Sequence, residues 1–306
     1  MLESSIDVYG LGQCAWDYIG QISEYPDRDT KCEMSSLVTQ GGGPVATALV
    51  ALSRWGYSCA FCGVIGDDSF GQQILNSLLE EKVDTSQVIV REGFSSQFAF
   101  IAAEQDGGKR TIFWRRPTGH PVSPEELNYD LIRQARVLHT DGLFPAASIA
   151  AARVAQKTGT LVITDAGTLR EGMLELAKYS NYFIVSEVFA NALINENNPE
   201  KACLELKRHS PGIVGVTLGS KGYLVLNHKE WIKGAAYRVN AQDTTGCGDL
   251  FHAGITLGIL KGWDLRKMFD FSAWAAATVS TKLGGREGIP KIHEYNSDSK
   301  IKSKNL

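Results

Sequence analysis

The sequence predicts an α/β fold, a doubly wound and mostly parallel sheet with a small β-sheet lid laid over one edge. Three observations predict it. Short apolar runs alternate with amphipathic stretches along most of the 306 residues, the rhythm of βαβ units around a parallel sheet. Two segments, 17–40 and 96–116, break that rhythm with Tyr, Ile, Val, Phe and Thr among turn residues, as antiparallel strands inserted into the pattern would. The 43% hydrophobic content gives a chain of this length enough apolar material for a large core. One domain is expected over 1–295 with the lid segments inserted, followed by a polar, lysine-rich tail at 296–306 expected to be disordered.

The elements follow in order. Residues 6–11 read as a strand, and 43–56 as a helix because Val45, Leu49, Leu52 and Trp55 fall on one face. A strand at 58–65 precedes a helix at 70–82, whose Ile74, Leu75, Leu78 and Leu79 are at helical spacing. Buried-type strands are expected at 137–140, 160–165, 182–185 and 213–217, with helices between them at 147–157, 171–178 and 199–209. Helices at 250–261 and 268–283 close the fold. Within the second inserted segment, Gln105-Asp106-Gly107-Gly108 reads as a hairpin tip.

Composition narrows the function. A net charge of −3 leaves no electrostatic footprint for nucleic acid or an anionic membrane. No apolar run approaches the roughly 18 residues of a spanning helix, and residues 1–7 show no basic, apolar leader, so a cytoplasmic protein is expected. Six cysteines lie at 14, 32, 59, 62, 203 and 247. Cys59 and Cys62 match Cys-x-x-Cys, but three residues apart on a strand they face opposite sides of a sheet, and no second pair completes a zinc site.

The most informative run is Asp243-Thr244-Thr245-Gly246-Cys247-Gly248-Asp249, followed by an apolar helix. Gly246 and Gly248 let consecutive N–H groups point at one spot off a helix N-terminus, where the macrodipole favours negative charge. Such a cup holds phosphate oxygens, and Asp249 beside it is a carboxylate able to take a proton from an attacking hydroxyl. That pair is the minimum equipment for phosphoryl transfer to an alcohol; the plainer reading is a turn with Asp249 capping the helix.

Other glycine runs each admit a plainer reading as well. Gly10-Leu11-Gly12-Gln13-Cys14-Ala15 fits a dinucleotide fingerprint, but Asp17-Tyr18-Ile19-Gly20 and Pro26 follow where a helix should begin, so a nicotinamide-binding reading fails. Asp17 is instead placed to touch a ligand or to serve as a turn residue. Gly41-Gly42-Gly43-Pro44 permits close approach to a ligand, or a hinge between lid and core. Thr217-Leu218-Gly219-Ser220-Lys221-Gly222 sits where a strand ends and a hairpin begins, and contours either a nucleotide or an ordinary strand-to-strand turn. His252, one turn into the catalytic helix, reads as packing.

Together these motifs resemble the PfkB, or ribokinase-like, family of carbohydrate kinases over residues 6–290 and in the same order. The resemblance implies ATP-dependent phosphorylation of a hydroxyl on a small sugar-like substrate, with Mg2+ on the phosphates. It implies Asp249 as catalytic base with the amides of Gly246, Cys247 and Gly248 as anion hole. It further implies Asp17, Gly42 and Gly43 at the substrate, and Thr217, Gly219, Ser220 and Gly222 along the nucleotide. Asp243 and Thr245 fall where many relatives hold a monovalent cation such as K+, and Glu187 falls near the metal. The lid sheet of such kinases can double as a homodimer interface.

Departures are visible as well. Ala15 and Ala46 stand where ribokinase-like sugar binding commonly uses asparagines, and Ser186-Glu187-Val188-Phe189 replaces Asn-x-x-Glu. The motifs Gly41–Pro44, Ser95-Ser96-Gln97, Asp243–Asp249 and Gly284-Gly285-Arg286-Glu287-Gly288-Ile289-Pro290 look closest to the sulfofructose-kinase-like branch. The arginine expected to grip a sulfonate is missing near Asp141-Gly142-Leu143. Of Arg115 and Arg116, alternation along a strand points only one inward, with Arg115 the candidate for an acidic group and exposed lid charge the alternative. The rival functions are a nucleoside kinase and a non-catalytic ligand-binding protein on the kinase fold.

Overall fold

The computed structural model describes residues 6–105 and 108–295. The chain begins with β1 (Val8–Leu11), the lid strands β2 (Ala15–Ile22) and β3 (Ser36–Gly42), and α1 (Pro44–Arg54). Next come β4 (Cys59–Gly66), α2 (Ser69–Glu80), β5 (Asp84–Arg91) and two more lid strands, β6 (Phe98–Glu104) and β7 (Arg110–Arg115). The middle of the chain supplies α3 (Tyr129–Gln134), β8 (Val137–Thr140), α4 (Pro145–Thr158), β9 (Leu161–Ala166), α5 (Met173–Ala177) and β10 (Tyr182–Ser186). It continues through α6 (Glu187–Ile194), α7 (Pro199–His209), β11 (Ile213–Thr217), β12 (Tyr223–Asn227) and β13 (Glu230–Gly234). Helices α8 (Cys247–Lys261) and α9 (Leu265–Val279) complete it.

Nine strands form the main sheet in the order β13-β12-β11-β10-β9-β8-β1-β4-β5, parallel except at the β12 and β13 edge. The strand order reverses at β1, which pairs with β4 on one side and β8 on the other. A crevice therefore opens beyond the carboxyl ends of these strands, where ligands of open α/β sheets bind. Alternate residues feed opposite faces. Val8, Phe61 and Ile163 pack with α1, α2, α8 and α9. Tyr9, Cys62 and Val162 pack with α3 and α4, and Phe183 and Val216 continue that face under α5, α6 and α7. Each such fully buried large side chain contributes about 1.5–3 kcal/mol. Cys59 and Cys62 duly sit in different clusters, on opposite faces of β4.

The lid is a separate four-stranded sheet, β3-β2-β6-β7. Its two outer pairs are antiparallel, but β2 and β6 pair in parallel, Trp16 with Phe98 through Ile22 with Glu104. The expected all-antiparallel lid is thus corrected. Both excursions leave parallel core strands, β1 and β5, at the same edge, so their first strands run outward in the same direction. The lid begins at Ala15 rather than residue 17, and Asp17 lies within β2.

The core strands and helices stand close to their expected bounds. Not expected were β5, the short α3 and α6, whereas the hairpin expected after residue 222 is β12–β13. Ser186, read with a metal motif, is the N-cap of α6 and accepts from Phe189 N at 3.1 Å. The expected hairpin tip at Asp106-Gly107 and the tail at 296–306 lie outside the described residues. Among the described residues no helix is long and apolar enough to cross a membrane.

Candidate active site

One cavity of about 430 Å³ gathers the strand ends, the inner face of the lid and the start of α8. From the sheet come Asp141 after β8, Asp165 in β9, Ser186 and Thr217; from the lid, Asp17, Gln97, Arg110, Ile112 and Trp114; from the helix, Gly246, Gly248, Asp249 and His252.

The start of α8 is built as its sequence suggests. Gly246 is left-handed at φ 81°, and a Cβ there would meet Gly285 Cα at 2.6 Å. Gly248 faces open space. Leu250 N closes the first turn on Gly246 O at 2.9 Å, while Cys247 N turns back to Thr244 O at 3.3 Å. The Cys247 amide, expected in the anion hole, is therefore engaged in the turn. Among the described residues no oxygen accepts from the amides of Gly246, Gly248 or Asp249, which leaves these three as free donors.

Asp249 borders the cavity amid dense protein, and loss of water pushes its carboxyl well above the ordinary carboxylate range. The charge of Asp165 pushes the same way and Arg110 opposes it, with smaller upward contributions from Asp17 and Asp141. A carboxyl so placed is a better proton acceptor than a solvated one.

Asp243, fully buried, acts as a staple. Its Oδ1 accepts from Thr245 N at 2.8 Å and Thr245 Oγ1 at 2.7 Å, and its Oδ2 from Gly284 N at 2.9 Å. The loop before α8 is thereby tied to the loop after α9.

At the acceptor end the glycine run earns its place by space. A Cβ on Gly42 would lie 1.9 Å from Asp17 Oδ2, so Gly42 makes room for that carboxylate. Gly43, at φ 98°, would drive a Cβ into Gln13 O at 2.4 Å. Burial raises the Asp17 carboxyl to about 7 against the opposing charge of Arg286, itself buried and held down at about 10. Asp141 accepts from Gln13 N at 2.8 Å and Leu143 N at 2.9 Å, yet burial still lifts it to about 7. Gln13 Nε2 donates to Gln97 Oε1, fixing two amides on the wall. Ser96 is structural: its Oγ donates to Asp68 at 2.7 Å and accepts from Gly66 N at 2.9 Å.

The small sheet is joined to the loop before α8. Thr244 donates to Gly108 O through N at 3.4 Å and Oγ1 at 3.2 Å, and Arg110 Nη1 donates to Thr244 Oγ1. Arg115 is a correction. Arg110, Ile112 and Trp114 face the cavity, so the alternation of β7 turns Arg115 outward. Arg116 lies over the Trp114 ring at 4.9 Å.

At the end of β11, Thr217 lines the cavity, whereas Gly219 and Ser220 are exposed beyond it. Gly219 has open space at φ 56°, while a Cβ on Gly222 would strike Gly234 O at 2.0 Å. Gly222 is thus required by the β11–β12 turn. Glu187 begins α6 and pairs with Lys221 at 3.1 Å. Among the described residues no group of three or more His, Cys, Asp or Glu could hold a metal ion.

Sequence reading missed Asp141, Asp165, Gln13, Gln97, Arg110 and Arg170 as wall residues. Their one available signal is position: Asp141 follows β8 and Asp165 nearly ends β9, at the edge where ligands bind.

The family model for pfkB family carbohydrate kinases matches residues 7–292. Fructokinase-2 of Oryza sativa subsp. japonica is 28% identical over 312 residues, covering 93% of this chain and 91% of the relative. A candidate ribokinase from Agrobacterium tumefaciens superposes with a TM-score of 0.87 at 24% identity, covering 94% of this chain and 95% of the other. A candidate ribokinase II from E. coli in complex with ATP and Mg2+ superposes with a TM-score of 0.78 at 18% identity, with coverages of 94% and 97%. At these identities the structural likeness shows a ribokinase-like fold and no more.

Proposed function

This chain belongs to the pfkB family of carbohydrate kinases, and from that premise we propose that it passes the γ-phosphoryl group of ATP to a hydroxyl of a neutral sugar, with Asp249 as base. The observation that carries the site assignment is the placing of Asp249 beside the unpartnered amides of Gly248 and Asp249, beneath a lid joined to the same loop. The acceptor lies between Asp17 and Asp249, with Gly42 giving Asp17 its room. Asp249 takes the hydroxyl proton as the oxygen attacks in line, and the free amides receive charge that develops on the phosphoryl oxygens. The closed lid excludes water that would otherwise accept the phosphoryl group.

Asp17, Asp141 and Asp165 make an acceptor-rich wall suited to sugar hydroxyls and unfavourable to an anionic sugar. The fructokinase relative makes a ketose the first choice. A sulfonated ketose is the second reading, favoured by the motif likeness and by Arg110 and Arg170 on the cavity wall. A nucleoside is the third.

We place the nucleotide along Thr217, Gly219 and Ser220, with Gly222 shaping the turn that presents them. Magnesium, when bound, neutralises phosphate charge. Glu187 fits a metal carried mainly by phosphates and water, because its exposed pair with Lys221 is weakly held. A monovalent cation such as K+ is proposed beside Asp243 and Thr245 with a lesser fit, since three chain donors already occupy that carboxylate. No step is routed through it. A homodimer through the outer lid face, where Leu37 and Phe113 are each 52% exposed, belongs to the same proposal. So does a cytoplasmic location, where ATP is made and thiols stay reduced.

The test is ADP release from Mg-ATP over ketoses, aldoses, sulfosugars and nucleosides, with Asp249→Asn as control. Turnover on a neutral ketose that depends on Asp249 is the expected result. Turnover confined to sulfosugars or nucleosides overturns the neutral-sugar reading.

A further inference from the structure

His252 is buried on α8, one turn after Gly248. Its Nδ1 lies 2.8 Å from Gly248 O and 3.3 Å from Asp165 Oδ2, and its Nε2 lies 3.2 Å from Ile184 O. Carbonyl oxygens only accept, so a neutral ring would leave one nitrogen lone pair facing an oxygen lone pair. A ring that satisfies both nitrogens carries two protons, and Asp165 is the counter-ion within reach.

The neighbours sharpen this assignment. On β8, His139 meets the His252 ring edge-on at 6.5 Å and donates to or accepts from Thr256 Oγ1 at 3.1 Å. Burial, and then the charge of His252, holds His139 down at about 3, so it stays neutral and offers no rival charge. Other charged groups around this corner are Asp249 on the same helix, Asp141 beyond β8, Asp17 and Arg110 from the lid, and Arg170 after β9 on the cavity wall. Cys247 is kept a neutral thiol, its ionisation raised to about 12 by burial.

We propose that His252 is a positioning residue for the base: as an imidazolium it neutralises Asp165, so that Asp165 does not hold the proton on Asp249, and its Nδ1–H fixes the carbonyl of Gly248. The proposal rests on the reading of Asp249 as base. It gives the buried Asp165 a task, and it gives the helix a polar pin where packing alone was expected.

The test compares pH profiles of kcat for wild type, His252→Gln, Asp165→Asn and the double variant, with Asp249→Asn alongside. Glutamine keeps a donor for Gly248 O and loses the charge. The acid limb is expected to move up by about one unit in His252→Gln, with turnover near neutral pH falling about tenfold and KM for ATP little changed. Asp165→Asn moves the limb down, and the double variant returns it toward wild type. A His252→Gln enzyme with reduced kcat but an unmoved limb overturns the proposal, as does an upward shift in Asp165→Asn. If Asp249→Asn keeps turnover, the base reading itself is what has failed. Nitrogen-15 NMR of the wild-type histidines, at the pH of maximal turnover, supplies the answer independent of any variant: His252 with both ring nitrogens protonated is expected, and a neutral tautomer overturns it.

Discussion

At the acceptor end of the cavity, Asp17 and Asp141 are buried carboxyls lifted to about 7, each in a space cut to fit by a neighbouring glycine. At the end formed by the β11–β12 turn, Gly219 and Ser220 stand exposed, a Cβ on Gly219 would meet nothing within 4 Å, and Lys221 beside them forms a surface pair with Glu187. One end works through desolvated side chains, the other through the path of the backbone. The contrast fits the tasks proposed for the two ends. Proton removal needs a carboxyl whose proton affinity has been raised by burial, whereas a nucleotide common to many enzymes needs shape and a few amides.

The contrast can be broken most sharply at Asp249. Asp249→Asn is expected to lower kcat by about 10³-fold with KM for ATP nearly unchanged, measured by coupled ADP release. Comparable changes in both constants would mean that the two ends are not separable. Arg110→Ala removes the inward lid cation and its bond to Thr244. A loss of about tenfold in kcat/KM for the sugar is expected, together with faster ATP hydrolysis without acceptor.

At the other end the glycines should divide. Gly222→Ala forces a Cβ to within 2.0 Å of Gly234 O and should cost about 2 kcal/mol in denaturant unfolding. Gly219→Ala, with open space around it, should cost less stability and act chiefly on KM for ATP.

Asp17 gives a subtler test. Its folded carboxyl is lifted to about 7 from an ordinary value of 3.8, so the folded state holds the proton more tightly than the unfolded one. The stability due to that protonation is complete below the unfolded value and is lost as pH rises through about 7. Asp17→Asn should therefore melt higher relative to wild type at pH 8 than at pH 5, while losing affinity for the sugar. An equal difference at both pH values would refute the burial argument. The smallest effect is expected at Arg115, whose removal from the outer lid face should alter activity by no more than about twofold.

Legibility in the sequence followed the same division. The glycine run ahead of α8 was readable because its geometry is local: consecutive residues make the turn, the free amides and the carboxyl of Asp249 beside them. Asp141 and Asp165 were not, because a single aspartate at a strand end has no pattern around it and gains meaning only when β8 and β9 lie side by side. Arg110 and Arg115 differ by an odd number of positions, so a strand register unknown from one sequence decided which of them faced inward. Cys247 was expected to offer an amide that in fact closes a turn, a distinction set by one backbone geometry. The β12–β13 hairpin was legible for the same reason as the glycine run, since Gly219 and Gly222 mark a strand end and a turn within a few residues.

The parallel pairing of β2 with β6 has a consequence for how the molecule is assembled. About eighty residues separate the paired strands, and both β1 and β5 must be seated before the two can meet at the same edge. The loop entropy of that meeting is recovered only late. The lid should therefore be the last region to gain structure and the first to lose it, and substitutions along the β2–β6 seam should quicken unfolding while barely slowing folding.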